Sequence, residues 1–227
     1  MLAQIATLIS ISQTQAQTAQ MPLPYPAMAP LDQYLMRSED SEIALARSAA
    51  PESISDGADV MVLGSDGYTT AVKGRNGFVC MVQRSWTGPD DPQFWNPKIR
   101  APICFNAAAA RTYLPITLMK TKLVLAEKSK DEMFQTVESA LDKKELPALE
   151  PGAMCYMMSK QQYLTDHGPK YHPHLMFFIP GSVAAGWGAN LSGSPIFAGD
   201  DPQDRMTVFM IPVKHWSDGT ADSPGQN

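Results

Sequence analysis

The fold is decided by residues 59–84, which read DVMVLGSDGYTTAVKGRNGFVCMVQR. Three segments rich in apolar and β-branched residues, 59–63, 68–73 and 78–84, are separated by the short turns GSDG and GRNG. Glycine and the Asn-Gly pair readily adopt the positive φ that tight hairpins require. The stretch therefore predicts a three-stranded antiparallel β-meander.

Helices are predicted after this meander. Residues 86–102 are rich in Pro and Trp and predict a loop. Asn106 can cap a helix over 107–113, and Pro115 interrupts or restarts that helix while apolar residues continue at helical spacing. The sequence SKDE at 129–132 is a capping box that opens a further amphipathic helix. Two or three helices are therefore expected in the middle of the chain.

Three later segments, 153–158, 175–179 and 207–213, are almost entirely apolar. Such runs are typical of central strands that are covered on both faces. Upstream of the meander, residues 39–48 predict a short amphipathic helix that ends before a proline. A meander, then two or three helices, then three apolar strands predict a single α+β domain with a mainly antiparallel sheet over residues 38–216.

The composition fits an ordinary globular domain. The chain has 227 residues, a length that favours one domain with a substantial core. Its formal net charge is -5, and its Lys and Arg residues are scattered. Because a basic surface for a phosphate backbone is missing from this pattern, we expect no nucleic-acid partner.

The N-terminus has features of an export signal. Residues 1–12 are mostly apolar and are followed by small and polar residues, which predicts a signal peptide over 1–19. No Lys or Arg precedes Arg37, so a disordered N-terminal tail is the alternative. We expect a Pro-rich linker over 20–37 and a disordered tail over 217–227. The expected location is periplasmic or secreted, with no integral membrane segment in the mature chain.

Four segments of the chain read KGRNGFVC at 73–80, RSW at 84–86, FWNPKIR at 94–100 and HPHLMFF at 172–178. Together they resemble segments of a family of uncharacterised exported bacterial proteins. The resemblance covers most of the chain over about 38–196. It implies export and a single domain, and it brings neither an activity nor a catalytic residue.

Three cysteines leave an odd thiol if two of them pair. Cys155 lies inside an apolar segment and is expected to be a buried, inert thiol. Cys80 in the third strand and Cys104 just before the helices are then the candidates for a disulfide. Two unpaired core cysteines are the alternative, because sequence alone does not place the Cβ atoms within reach of each other.

Three of the four histidines, His167, His172 and His174, lie within eight positions, and His215 is the fourth. The proline between His172 and His174 favours an extended backbone, in which residues two apart point to the same side. A His-x-His pair of this kind can hold Zn or Fe, with His167, Asp166 or His215 as a third ligand. The alternative is a polar loop that leads into a buried strand, with an imidazole bonded to the backbone.

Three tryptophans, Trp86, Trp95 and Trp187, lie in predicted loops, the last of them in the Gly-rich stretch 181–194. Aromatic loop residues can line a ligand cleft, although they also commonly cover a core. The stretch matches neither a nucleophile elbow nor a phosphate-binding loop, so it predicts a flexible connection between two strands.

Two classes of function remain open. The preferred one is a non-catalytic exported domain that binds a small molecule or a protein through its Trp-bearing loops and needs no cofactor. The alternative is a metal-assisted hydrolase in which His167, His172 and His174 hold Zn or Fe and a bound water is the nucleophile. The two hypotheses differ in whether the histidines converge in a concave site.

Overall fold

A computed structural model describes residues 24–88, 93–166 and 171–223. These residues contain one sheet of eight strands. In chain order the strands are β1 (Asp59–Gly64), β2 (Gly67–Val72), β3 (Val79–Gln83), β4 (Ala101–Phe105), β5 (Met154–Met157), β6 (His174–Pro180), β7 (Phe197–Asp201) and β8 (Met206–Pro212). Their order across the sheet is β2-β1-β3-β4-β5-β6-β8-β7. Every neighbouring pair is antiparallel except β1 and β3. The predicted α+β class with a mainly antiparallel sheet is confirmed.

Five α-helices accompany the sheet in the same described ranges. They are α1 (Glu39–Arg47), α2 (Glu52–Ser55), α3 (Ala107–Thr112), α4 (Leu114–Leu125) and α5 (Lys130–Asp142). The predicted starts of α3 and α5 are confirmed: Asn106 Oδ1 accepts a hydrogen bond from the Ala109 amide at 2.9 Å, and Ser129 forms a capping box with Glu132. Within this part of the chain, no helix has the length and apolar character needed to cross a bilayer.

The sheet separates two hydrophobic cores. On β3, Cys80 packs with α1 on one face, whereas the next residue, Met81, packs with α3, α4 and α5 on the other. On β4, Cys104 belongs to the α1 face, and its neighbours Ile103 and Phe105 belong to the opposite face. β3 and β4 are therefore covered on both sides, which is why their sequences are continuously apolar.

The disulfide between Cys80 and Cys104 is confirmed, and it joins directly opposite residues of β3 and β4. Both cysteines are fully buried beneath α1. Cys155 is a free buried cysteine whose side chain lies in the core on the other face of the sheet. The sheet therefore stands between the free thiol and the disulfide.

The predicted meander is wrong in its second connection. β1 and β2 form the expected hairpin, but β3 then pairs in parallel with the far side of β1. The segment that connects β2 to β3 contacts the residues just before β1. There the amides of Arg75 and Asn76 donate to the Gly57 carbonyl at 2.8 and 3.1 Å. Gly74 permits this passage, because a Cβ there would lie 2.2 Å from the carbonyl carbon of Ala58. GRNG is thus a crossover and not a hairpin turn.

Two strands were not predicted. β4 falls at the end of the expected loop 86–102, where Pro102 obscures the strand pattern because proline cannot donate to a ladder. β5 pairs only with Cys104 and Phe105 of β4. Pro102 therefore has no residue of β5 opposite it, and its missing N–H costs no hydrogen bond to β5. The other unpredicted strand, β7, follows the Gly-rich stretch, which also contains a 3-10 helix at Ala184–Trp187.

The three apolar segments form β5, β6 and β8 as predicted, but the expected cover on both faces holds only in part. In β6 only His174 and Phe178 are buried, and in β8 the buried residues are Met206, Thr207 and Phe209. The remaining residues of both strands are partly or fully exposed. Apolar character therefore continues beyond the region that the helices cover.

Two buried ion pairs connect the sheet region to the helices. Arg84 Nη2, just after β3, lies 2.9 Å from Glu42 Oε1 on α1, and the two side chains are 0% and 3% exposed. Lys120 Nζ on α4 lies 2.6 Å from Asp204 Oδ2 in the turn between β7 and β8. Burial of Asp204 raises the pKa of its carboxyl. Charges at this depth are tolerated because each has an opposite partner.

Parts of the predicted Pro-rich linker and of the predicted disordered tail contact the domain. Tyr34, in the expected linker, is fully buried, and its hydroxyl donates to the Trp95 carbonyl at 2.8 Å. Ser217, in the expected C-terminal tail, donates from its hydroxyl to the Ser48 carbonyl at 2.6 Å and from its amide to the Met158 carbonyl at 2.9 Å. The segment predicted as a signal peptide, 1–19, lies outside the described residues.

Candidate functional site

The three histidines that the structure describes have different partners. The half-exposed His172 places Nδ1 2.6 Å from Asp222 Oδ2 of the C-terminal segment. His174 is buried at the start of β6, and its Nδ1 donates to the His172 carbonyl at 2.7 Å. Burial lowers the pKa of His174, which favours a neutral ring. His215 is exposed in an isolated bridge with Ala221.

No metal site is present among the residues that the structure describes: no three His, Cys, Asp or Glu side chains there are grouped so as to hold an ion. His167 lies outside those residues, so a metal role that includes it stays a prediction. The engagement of His172 with Asp222 is a long-range contact that the His-x-His spacing could not indicate. An extended backbone over residues 172–174 does not determine the direction in which the imidazole of His172 or of His174 points.

The three predicted cleft tryptophans occupy different environments. Trp86 is fully buried, and its Nε1 donates to Thr121 Oγ1 at 3.0 Å. Trp187 is 56% exposed and packs against Phe209 of β8. Since β4, β5 and β6 lie between β3 and β8, Trp86 and Trp187 do not share a site. Trp95 is the one of the three that lines a described cleft.

That cleft has a volume of about 1160 Å³ and is open to solvent. One wall is the segment 25–31, which we call the strap, and the other is the corner between α4 and α5, residues 124–131. Phe94 and Trp95 lie between the two walls, with their rings in an edge-to-face contact at 4.6 Å. The cleft thus unites three segments that are distant in sequence.

The strap is held at both ends. At its N-terminal end the Tyr25 hydroxyl donates to Asp166, which also accepts from the Tyr163 hydroxyl and from Lys98 Nζ. The hydrogen bonds from Tyr163 and Tyr25 lower the pKa of the Asp166 carboxyl, so it remains ionised as an acceptor. Beyond the other end, buried Tyr34 fixes the chain. Prolines in the strap favour the extended backbone that spans these anchors.

The opposite wall follows from local helix signals. α4 ends at Leu125, and the chain then reverses through Glu127, whose φ of 57° is in the left-handed region. Ser129 then caps α5 and restarts the helix. The corner therefore presents the end of α4, with the partly exposed Leu125, next to the polar start of α5.

The lining of the cleft combines apolar side chains with a polar rim. Its inner surface is mainly apolar, with the partly exposed Met28, Leu31, Trp95 and Leu125 and the buried Phe94 and Val124. Its described lining contains no His or Cys, and the Ser129 hydroxyl is already engaged with Glu132. Lys130 Nζ lies 5.0 Å from the centre of the Phe94 ring, a cation–π contact at the rim.

No protein-family model matches the chain, and no curated protein or solved structure was found to match it. Sequence reasoning identified Trp95 but missed the strap and the helix corner. The only local signals for those walls were the closely spaced prolines and the Ser129 capping box, and neither indicates which segments meet.

Proposed function

We propose that the protein is an exported, non-catalytic binding protein whose ligand occupies the cleft between the strap and the α4–α5 corner. The observation that carries this proposal is the open cleft of about 1160 Å³ with a mainly apolar lining that includes Trp95. Small-molecule sites are typically concave, mostly apolar and roughly 300–1,000 Å³ in volume. The cleft is therefore large enough for an elongated small molecule.

The charges at the rim define the ligand class further. Glu127 and Asp131 are acidic, and Lys128 and Lys130 are basic, so the four formal charges sum to zero. Such a rim gives no net attraction to a strongly charged molecule. Apolar walls below a balanced rim favour a neutral, largely apolar ligand.

Export is supported by the disulfide and by the N-terminal sequence. A buried Cys80–Cys104 bridge is typical of proteins in oxidising compartments. The apolar segment 1–12, followed by small residues, has the pattern of a secretion signal. In the periplasm or outside the cell, a binding protein of this kind would capture an apolar molecule from dilute solution.

The test is a titration with N-phenyl-1-naphthylamine, a neutral dye that fluoresces in apolar surroundings. We expect saturable binding that weakens at least about tenfold in Ala27→Trp, because the indole occupies cleft volume and the dye contacts that it displaces are worth more than ~1.4 kcal/mol. Ala27 is an exposed lining residue, so the substitution leaves the core unchanged.

The matched control is Ala44→Trp, which adds the same side chain at an exposed position of α1, outside the cleft lining. It should bind the dye as the unsubstituted protein does. Equal affinity for the Ala27 and Ala44 variants, or no saturable binding at all, would contradict the proposal.

A further inference from the structure

The buried pair of Lys120 and Asp204 has a geometry that the proposed ligand-binding function does not use. Lys120 Nζ lies 2.6 Å from Asp204 Oδ2, and both side chains are 1% exposed. Both residues lie outside the described lining of the cleft. They are 84 positions apart in the chain, so the pair connects α4 to the turn between β7 and β8.

The Asp204 carboxyl is only partly satisfied by hydrogen bonds. Oδ2 accepts from Lys120 Nζ, whereas the buried Oδ1 has no hydrogen-bond partner among the residues that the structure describes. In the other buried ion pair, Glu42 Oε1 accepts from Arg84 and also from the Leu63 amide. Because buried polar atoms normally find a partner, the unpaired oxygen shows that the core compensates the charge of Asp204 incompletely.

The surroundings of Asp204 favour its protonated form. Burial raises the pKa of its carboxyl; the Lys120 charge opposes this effect, and the nearby Asp201 carboxylate reinforces it. Lys120 Nζ also lies 5.5 Å from the centre of the Phe134 ring, so the pair borders the apolar core. The nearest source of a proton for Asp204 is the Lys120 ammonium. Its transfer leaves a neutral amine beside a neutral carboxylic acid, out of contact with bulk water.

We propose that Lys120 and Asp204 condense with each other to form an intramolecular isopeptide bond. The lone pair of the neutral Nζ attacks Cγ of the protonated carboxyl, so that a C–N bond forms and one C–O bond breaks. The departing hydroxyl takes a proton from the nitrogen and leaves as water. The step balances without an oxidant, a nucleotide or any other co-reactant. Its product is a neutral amide, which removes two buried charges from the core.

The fold supplies the positioning that this reaction requires. Groups held in contact react as if at effective concentrations of up to about 10⁵–10⁸ M. Lys120 is carried by α4, and the Asp204 amide donates to Asp201 Oδ1 at 3.0 Å, which fixes the turn that carries Asp204. The buried pair of Arg84 and Glu42 cannot follow the same course, because a guanidinium keeps its positive charge in proteins.

The experiment is mass spectrometry of the unfolded full chain and of its tryptic peptides. The intact mass should be lower than that calculated from the observed N-terminus by one water molecule, in addition to the hydrogens lost in the Cys80–Cys104 disulfide. Reduction should restore those hydrogens but not the water. Trypsin should not cleave after an acylated Lys120, so peptide 112–122 should be recovered joined to peptide 171–205.

Lys120→Arg is the matched variant, because arginine keeps a positive charge beside Asp204 but does not form the amide. The loss of water and the joined peptide should both be absent from it. Lys122→Arg changes an exposed lysine of the same helix and should retain both.

The proposal fails if the unsubstituted protein yields peptides 112–120 and 171–205 unjoined, a result that does not depend on whether any variant folds. It also fails if the loss of water persists in Lys120→Arg. That outcome would place the dehydration elsewhere in the chain, for example in a succinimide at the Asp-Gly sequence 56–57.

Discussion

In β3 and β4, four and five consecutive residues are buried, whereas β7 at one edge of the same sheet buries only Asp201 among its five. Two phenylalanines show the contrast. Phe105 in β4 is fully buried, and Phe197 in β7 is 49% exposed. β4 lies between cores built by α1 on one face and by α3, α4 and α5 on the other, whereas β7 lies beyond the helices. Helical cover, rather than apolar character, decides burial here.

The two regions also treat polar groups differently. In the covered region, Arg84 donates to Glu42 and to backbone carbonyls, which satisfies a fully buried charge. At the outer edge, the side chain of Asn190 satisfies the exposed backbone of Ala198. The first arrangement maintains a closed core, and the second ends the sheet. Substitutions in the covered region should therefore cost more stability than substitutions at the edge.

The largest expected effect is that of Arg84→Met. Removing one partner leaves the carboxylate of Glu42 buried and uncompensated, which should lower the free energy of unfolding by ~3–5 kcal/mol. Urea denaturation measures it. The control Arg111→Met removes an exposed ion pair with Glu150 and should cost less than ~1 kcal/mol. Equal losses in the two variants would contradict the contrast between the regions.

The double variant Glu42→Gln with Arg84→Met sharpens this prediction. It removes both charges, while the carbonyl of the introduced glutamine can still accept the Leu63 amide hydrogen bond that Glu42 Oε1 accepts at 3.1 Å. We expect it to be more stable than Arg84→Met alone, because no unpaired charge then remains in the core. A double variant less stable than Arg84→Met would show that lost packing, and not the unpaired charge, dominates.

The second expected effect is that of removing the disulfide in Cys80→Ala with Cys104→Ala. The bridge spans a sequence separation of 24 residues. Closing a loop of that length stabilises by about 3 kcal/mol in the chain-entropy model. Urea unfolding should show that loss, and alkylation of the unfolded, unreduced protein should modify Cys155 alone. Modification of all three cysteines would show that the bridge does not form.

The third expected effect concerns the outer edge. Asn190→Ala removes two side-chain hydrogen bonds and places alanine at a φ of 61°, which should cost ~1–2 kcal/mol in unfolding free energy. Asn190→Gly loses the same hydrogen bonds without the backbone strain and should cost less. Equal unfolding free energies for both variants and the unsubstituted protein would mean that Asn190 does not stabilise the edge.

The smallest expected effect is the pH dependence that His174 contributes. Burial lowers the pKa of its imidazole in the folded state, so the unfolded chain binds the proton more readily. Stability should therefore be retained above about pH 6.5, the ordinary histidine pKa, and should fall as the pH drops below it toward the folded pKa.

Melting temperatures measured between pH 7 and pH 5 test this prediction. His174→Asn keeps a donor near the His172 carbonyl but does not titrate, so the decline with acidity should become shallower. His215→Asn changes an exposed histidine and should leave the decline unchanged. A decline that is the same in both variants would assign the acid sensitivity to other groups.

The sequence by itself determined the features that depend on neighbouring residues. Ser129 and Glu132 are three positions apart, so a helix start could be recognised from them alone. The hairpin at Gly64–Gly67 and the apolar runs of β5, β6 and β8 are local in the same sense. The expected burial of Cys155 made Cys80 and Cys104 the candidate pair, but their opposition in adjacent strands, which decides between a disulfide and two free thiols, was not visible in the sequence.

Tertiary structure alone decided which segments meet. GRNG has the residues of a hairpin turn, yet the close passage of Gly74 beside Ala58 carries the chain to the other side of β1. Trp86 and Trp95 come from one predicted loop, and neighbours distant in sequence bury the first while leaving the second in the cleft. Burial depends on what packs against a side chain, and that is a property of long-range contacts that local sequence patterns do not encode.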